Sequence, residues 1–195
     1  MKRFIAFCAA VSCGRVGSVF AQSTAPAKAT AADGSKLFEP IRRVLQNPRY
    51  QNCHIPGDAP LQYDGGMVHA QNVKRGADGK GFAALQCSAC HQSENSAAVL
   101  GPHAPPGAPD WHLPPENMNM IFIGLNARDL CLTVKDPKRN GKRSMENFVH
   151  HMAEDKLVDW GWHPGGDRKP VPISKEDTVS AVKAWVVAGA PCPTS

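Results

Sequence analysis

The chain has 195 residues, enough for one domain with a sizeable core, and 42% of them are hydrophobic. Lys and Arg number 22 against 17 Asp and Glu, which gives a formal net charge of +5 at neutral pH. The basic residues are scattered and only 7% of the residues are aromatic, so the composition argues against nucleic-acid binding.

Residues 1–21 have the pattern of a secretory signal peptide. Two basic residues precede the apolar segment Phe4–Val11, and Val19-Phe20-Ala21 is typical of a cleavage site. A lipoprotein signal ending at Cys13 is the weaker alternative, because its apolar segment is very short. Cleavage after position 21 would remove three basic residues and no acidic one, which lowers the net charge from +5 to +2. We expect an exported, periplasmic protein without a membrane span in its mature chain.

The mature chain is predicted to begin with a disordered leader, residues 22–33, which is rich in Ala, Thr and Ser. A helix is predicted over 35–46, because its apolar residues recur at helical spacing on one face. Asn47-Pro48 is a typical helix end.

The next segment is Tyr50-Gln51-Asn52-Cys53-His54. It follows the Cys-x-x-Cys-His pattern of c-type haem attachment, with Tyr in the place of the first Cys. Cys53 could hold a second haem through one thioether with His54 as the iron ligand, or the site could be lost, leaving Cys53 free or in a disulfide. His69, in the turn-rich loop 56–81, is a candidate sixth ligand for a haem at His54.

Cys87-Ser88-Ala89-Cys90-His91 is the complete attachment pattern. Two thiols at i and i+3 of one helical turn face the same way and can form thioethers along one porphyrin edge. His91 is then placed to ligate the iron. We predict a short helix over 82–91 that binds haem c through Cys87, Cys90 and His91. A redox dithiol, and a zinc site shared with Cys53 and His54, are the alternatives.

Residues 101–115 are rich in Pro and are predicted to be extended, wrapping a flat ring. The carbonyl of Pro102 is a candidate acceptor for the other ring N–H of His91. Met118 and Met120 follow, and a methionine after such a stretch is a common sixth haem ligand, here expected for the haem at His91 with Met118 ahead of Met120. Core packing is the alternative role for both methionines, and His103 and His112 are the alternative ligands.

Three further helices are predicted: one opened by Asn126 and ending near Lys135, one capped by Ser144 and ending near Asp155, and one from Ser174 to Gly189. Residues 157–162 are predicted to be a packed loop. Cys192 is expected to pair with Cys131. The one basic cluster is either a solvated loop or a docking patch for an acidic redox partner, and it comprises Lys135, Lys138, Arg139, Lys142 and Arg143.

At residues 87–91 the chain resembles cytochromes c, and it is similar to small exported proteins labelled isoquinoline 1-oxidoreductase subunits. The shared runs are Cys-Ser-Ala-Cys-His and those within 106–115, 135–141, 157–162 and 189–193. These relatives tend to have a complete Cys-x-x-Cys-His at the first site as well, so Tyr50 is a departure. The resemblance implies a cytochrome that accepts electrons from an exported molybdenum hydroxylase.

Together these patterns predict an all-α, cytochrome c-like domain over 34–195, with short helices and long Pro/Gly-rich loops around covalently attached haem. The expected function is one-electron transfer between a periplasmic dehydrogenase and a downstream acceptor protein. The alternatives are a peroxidase-like haem enzyme with an open sixth position and a haemless zinc-binding module.

Overall fold

The computed structural model describes residues 30–118 and 120–195. The predicted signal peptide, and residues 22–29 of the predicted leader, lie outside these ranges. The elements in chain order are α1 (Ala31–Leu45), α2 (Pro48–Gln51), β1 (Leu61–Gln62), β2 (Met67–Val68), β3 (Gly81–Phe82), β4 (Leu85–Gln86), α3 (Ala127–Lys135), α4 (Met145–Glu154), α5 (Lys156–Asp159) and α6 (Lys175–Val187).

The prediction of an all-α fold is wrong. Strands β1 and β2 pair antiparallel, with Leu61 opposite Val68, and β3 and β4 pair antiparallel, with Gly81 opposite Gln86. Each strand has only two residues, which is too short for an alternating pattern to show in the sequence. Both hairpins lie in the loop region between α2 and α3, and glycines with positive φ make them possible: Gly66 in the turn between β1 and β2, and Gly81 at the start of β3.

The predictions for three long helices are confirmed. The side chains of Asn126, Ser144 and Ser174 each accept a hydrogen bond from the backbone N–H three residues later and thereby open α3, α4 and α6. Helix α1 begins at Ala31, earlier than the predicted Ser35. The reason is a capping box, in which Thr30 and Asp33 each accept from the other's backbone N–H.

The main hydrophobic core lies between the four long helices. Helix α1 packs against α3 and α6, and α4 packs against α6. The buried side chains come from one face of each helix, and they include Phe38, Ile41, Leu130, Phe148 and Trp185. A second, smaller cluster lies among the loops and is formed by Ile55, Cys87 and Leu113. The chain therefore has two hydrophobic clusters, one between the helices and one among the loops.

The prediction of a helix over 82–91 is also wrong. Residues 81–86 form the β3–β4 hairpin, and Cys87–Ala89 form a single 3-10 turn. Gly81 has a φ of +94°, and a Cβ at this position would collide with the carbonyl of Leu85, so only glycine allows this close turn. The haem-attachment motif therefore lies at the end of a hairpin and not on a helix.

The segment 157–162 is more regular than the predicted packed loop. It contains most of α5 and a 3-10 turn over Trp160–Trp162. Asp155 opens α5 by accepting hydrogen bonds from the N–H groups of Leu157 and Val158.

Asp155 should make stability dependent on pH in acid. Its hydrogen bond with His151 is the largest cause that lowers its pKa from 3.8 to about 2. A lowered carboxyl pKa stabilises the fold above pH 4, and this contribution is lost as the pH falls from about 4 to about 2. We expect Asp155→Asn to destabilise the protein by about 1 kcal/mol at pH 7, after allowance for solvent screening, and by only a small fraction of that at pH 2, where most of the contribution is lost. Denaturant unfolding at both pH values measures this, with the exposed Glu154→Gln as the control; an equal loss at both pH values would contradict it.

The C-terminal tail is fixed to the helical core. Cys131 and Cys192 form a disulfide, which confirms the predicted pair. The ammonium of Lys135 donates to the carbonyl of Ala190 at 2.6 Å, and the indole N–H of Trp185 donates to the carbonyl of Pro191 at 2.8 Å. Among the helices of the described residues, none combines the length and the apolar character that crossing a membrane requires.

Candidate functional site

A cleft of about 370 Å³ opens beside the second hydrophobic cluster, and we call it the His91 cleft. Cys87, Cys90 and His91 all line it, and Trp111 and Leu113 form apolar walls. The structure thus brings together all three residues of the complete attachment motif. The volume lies within the usual range for cofactor sites.

The two thiols of the motif are held by one turn of backbone. The N–H of Cys90 donates to the carbonyl of Cys87 at 3.2 Å, and the N–H of His91 donates to the same carbonyl at 2.9 Å. Cys87 is buried, Cys90 is exposed and both thiols are free. Burial raises the pKa of Cys87, so this thiol is protonated at neutral pH.

The ring of His91 is oriented from two sides. Its Nδ1 lies 2.8 Å from the carbonyl oxygen of Pro106, and its ring stacks on Trp111 with centroids 4.5 Å apart. A carbonyl at Nδ1 fixes the tautomer that leaves Nε2 as a metal ligand. Burial lowers the pKa of His91, which keeps the imidazole neutral. The sequence correctly suggested a carbonyl from the Pro-rich segment but placed it at Pro102, whereas the structure uses Pro106.

Asn95 positions the loop behind His91, a role that the sequence did not indicate. Its side-chain oxygen accepts from the N–H of Gly107 at 3.1 Å and from the indole N–H of Trp160 at 3.0 Å. Its amide donates to the carbonyl of His163 at 2.8 Å. Asn95 therefore joins the loop behind His91 to the 3-10 turn at Trp160. A lone Asn in a polar loop carries no signal of this role.

The incomplete motif, 50–54, repeats the backbone hydrogen bonds of the complete one, although it lies at the end of the short helix α2 and not on a 3-10 turn. The N–H groups of Cys53 and His54 both donate to the carbonyl of Tyr50, at 3.0 and 3.2 Å. The Nδ1 atom of His54 lies 2.9 Å from the carbonyl oxygen of Met120, and the ring stacks on Phe122 with centroids 3.8 Å apart. His54 and His91 are thus held in the same manner, each by one backbone carbonyl and one aromatic ring.

A second cavity, of about 200 Å³, lies in front of His54 within the helical core, and we call it the His54 cavity. Burial lowers the pKa of His54 to about 3, so the imidazole is neutral at physiological pH. Burial also raises the pKa of Cys53 to about 11. Cys53 and Arg49 line both the His54 cavity and the His91 cleft. The two sites therefore share a wall.

The candidate sixth ligands are distributed differently from the sequence-based prediction. Met118, Met120 and His112 line the His54 cavity, and none of them lines the His91 cleft. His69 and His103 line the His91 cleft instead. The structure therefore places the methionines with His54, and it places His69, which we had paired with His54, with His91. Met120 is also buried in the main core, so it has the packing role as well.

Tyr50, which replaces the first cysteine of the incomplete motif, is a core residue. Its hydroxyl donates to the carbonyl of Val158 at 2.9 Å, and its ring meets Trp162 edge to face at 5.9 Å. We expect Tyr50→Phe to lower the free energy of unfolding by about 1 kcal/mol, because one buried hydrogen bond is lost. Denaturant unfolding measures this, with the exposed Tyr63→Phe as the control. Equal stabilities of the two variants would show that the Tyr50 hydroxyl contributes nothing.

The alternative zinc site is not assembled. Over residues 30–118 and 120–195, no three or more His, Cys, Asp or Glu side chains converge in a way that could hold a metal ion. Cys87 and Cys90 belong to the 3-10 turn after the β3–β4 hairpin, whereas the Nδ1 atom of His54 is directed to the carbonyl of Met120. A four-ligand site of Cys53, His54, Cys87 and Cys90 therefore has no support in this arrangement.

The walls of the His91 cleft fit a flat apolar ring that carries carboxylates. Arg49 is only 7% exposed and its guanidinium pairs with the carboxylate of Asp64, while its Nε, like Oδ1 of Asn52, is buried without a hydrogen-bond partner among the described residues. Burial lowers the pKa of Arg49, and so does the charge of Arg168, which also lines the cleft. Two guanidinium groups that line a largely apolar cleft are suited to an anionic ligand such as a haem propionate.

Arg75 is a second buried cation that the sequence did not reveal. It is 1% exposed, and its guanidinium donates to the carbonyls of Ile55, Gly57 and Pro114. It thereby joins the segment after His54 to the Pro-rich segment that lines both cavities. In the sequence it is one of three basic residues in the turn-rich loop 56–81, and nothing in its neighbours indicates burial.

No protein-family model, no curated protein and no solved structure matches this chain in the three comparisons made.

Proposed function

We propose that the protein is an exported c-type cytochrome that transfers single electrons. Haem would be attached through thioethers to Cys87 and Cys90, with His91 as an axial ligand. One observation carries this proposal: both thiols and a neutral, oriented imidazole line one largely apolar cleft, in the attachment spacing.

The Cys53–His54 segment is proposed as a second haem site with a single thioether. The support is the repeated geometry. Like His91, His54 follows a turn with two N–H groups on one carbonyl, has its Nδ1 at a backbone carbonyl and stacks on an aromatic ring. Met118 lines the same cavity and is the proposed sixth ligand there, ahead of Met120. Met120 is more strongly engaged in the core and contributes its carbonyl to His54.

In this mechanism the protein supplies orientation, burial and charge, and bound haem would supply the one-electron chemistry. The carbonyls of Pro106 and Met120 hold the imidazoles of His91 and His54 in the tautomer that would leave Nε2 free to bind the group. Trp111 and Phe122 fix the ring planes by stacking. Arg49 and Arg168 place positive charge beside the His91 cleft, which would offset propionate charge and favour the reduced centre.

The proposed partners are redox proteins: an exported dehydrogenase of the molybdenum hydroxylase type as donor, and a downstream acceptor. Lys138, Arg139 and Lys142 are exposed, and Arg143 of the same basic cluster lines the His54 cavity. A basic surface next to a proposed redox centre suits docking of an acidic partner. Periplasmic localisation belongs to the same proposal, because haem attachment to thiols requires an exported chain.

The test is the number of covalent haems per chain in protein purified from a host that matures c-type cytochromes. We expect the pyridine haemochrome assay to give two haems, and one after Cys53→Ala. A colourless protein whose Cys87 and Cys90 can both be alkylated would overturn the proposal. One haem in both the parent and the Cys53→Ala protein would overturn the second site alone.

A further inference from the structure

His69, which the sequence suggested as a ligand beside His54, lines the same cleft as His91. Its ring centroid is 6.1 Å from that of His91, with the ring planes at 65°. Metal–imidazole nitrogen bonds are about 2 Å long, so two imidazoles that ligate one metal ion from opposite sides have ring centres roughly 6 Å apart. The observed centroid separation therefore matches the spacing that two such imidazoles require.

His69 is prepared for ligation in the same way as His91. Its Nδ1 lies 2.8 Å from the carbonyl oxygen of Ala70, which leaves Nε2 as the ligating nitrogen. His69 directly follows the β1–β2 hairpin, and its backbone N–H donates to the carbonyl of Pro60 at 2.9 Å. Gln71 and Asn72, two and three residues after His69, have φ values of 60° and 54°, so the chain turns sharply and leaves the histidine at the cleft.

The other side chains of the cleft do not compete equally. His103 also lines it, but its Nδ1 lies 3.5 Å from the carboxylate of Asp167 and its ring meets Tyr63 edge to face. No methionine is found among the described residues that line the cleft. Among the side chains of the cleft, His69 is thus the one whose ring distance from His91 and whose free Nε2 suit a second ligand.

We propose that His69 is the sixth ligand of the haem bound at Cys87, Cys90 and His91, which makes this centre a bis-histidine site. The inference rests on the proposed function, because it requires haem in the cleft. A site ligated by two imidazoles would have no open position for peroxide, and its potential would be lower than that of a His/Met centre.

The experiment uses the Cys53→Ala chain, so that the spectrum reports the centre at Cys87 and Cys90 alone. We expect a low-spin, six-coordinate ferric spectrum for this parent. The additional change His69→Ala should keep one covalent haem but convert it to high spin, and added imidazole should restore the low-spin spectrum. His103→Ala, from the same cleft, should leave the spectrum unchanged. His69→Met should stay low-spin with a raised midpoint potential, because a thioether ligand favours ferrous iron.

The outcomes separate the ligand from the function. A parent without covalent haem overturns the proposed function and, with it, the ligand. A haem-containing parent that is already high-spin overturns the His69 assignment alone. A low-spin spectrum that persists in His69→Ala, or is lost in His103→Ala, also overturns the assignment while leaving the cytochrome in place.

Discussion

Replacing both Cys87 and Cys90 by alanine is expected to abolish covalent haem attachment in the His91 cleft. Without the two thiols no thioether can form there, and the assay should fall from two haems per chain to one. The remaining haem should be the one proposed at Cys53. Mass spectrometry of the denatured chain, which detects only covalently held haem, gives a second, independent count.

Single substitutions provide the controls for this result. Cys87→Ala and Cys90→Ala should each retain a covalent haem at reduced yield through the remaining thiol, as proposed for Cys53. Cys53→Ala should leave the haem at Cys87 and Cys90 intact. A double variant with undiminished covalent haem would show that the cleft is not the attachment site.

The second large effect is expected from the disulfide. Cys131 and Cys192 are 61 residues apart in the sequence, and they join α3 to the C-terminal tail. Replacing both by alanine frees this loop in the unfolded chain, so the free energy of unfolding should fall by roughly 3–5 kcal/mol. The tail would still be held by the hydrogen bonds of Lys135 and Trp185, so the native fold should persist with lower stability.

Denaturant unfolding of the disulfide variant should be compared with Leu132→Ser on the same helix. Leu132 is partly exposed beside Cys131, and its replacement should change the stability by less than about 0.5 kcal/mol. Haem content must be equal in all samples, because a bound group adds its own stabilisation. A double variant as stable as the parent would contradict the expected contribution.

The helical part of the fold could be predicted from the sequence because its signals are local. Asn126, Ser144 and Ser174 are caps followed by amphipathic segments, and the structure begins helices directly after each. The hairpins were missed for the opposite reason. Two-residue strands have no period, and Gly66 and Gly81 are indistinguishable in the sequence from the other glycines of the same loop region.

The candidate site shows the same division. The motif itself identifies Cys87, Cys90 and His91, because their spacing is local. Which distant residue faces each histidine depends on how the long loops fold, so the sequence alone placed His69 and the methionines in the wrong cavities. The buried positions of Arg49 and Arg75 are also tertiary features, because a charged side chain is ordinarily solvated.

The wall that Arg49 and Cys53 form between the two cavities has a consequence for redox thermodynamics. An electron added to one centre repels an electron added to the other, because a buried wall between them screens charge weakly. The two centres would therefore resist simultaneous reduction, and because such coupling is reciprocal, each would lower the other's midpoint potential by the same amount. Redox titrations should then show broadened, anticooperative transitions, which become independent when either centre is removed.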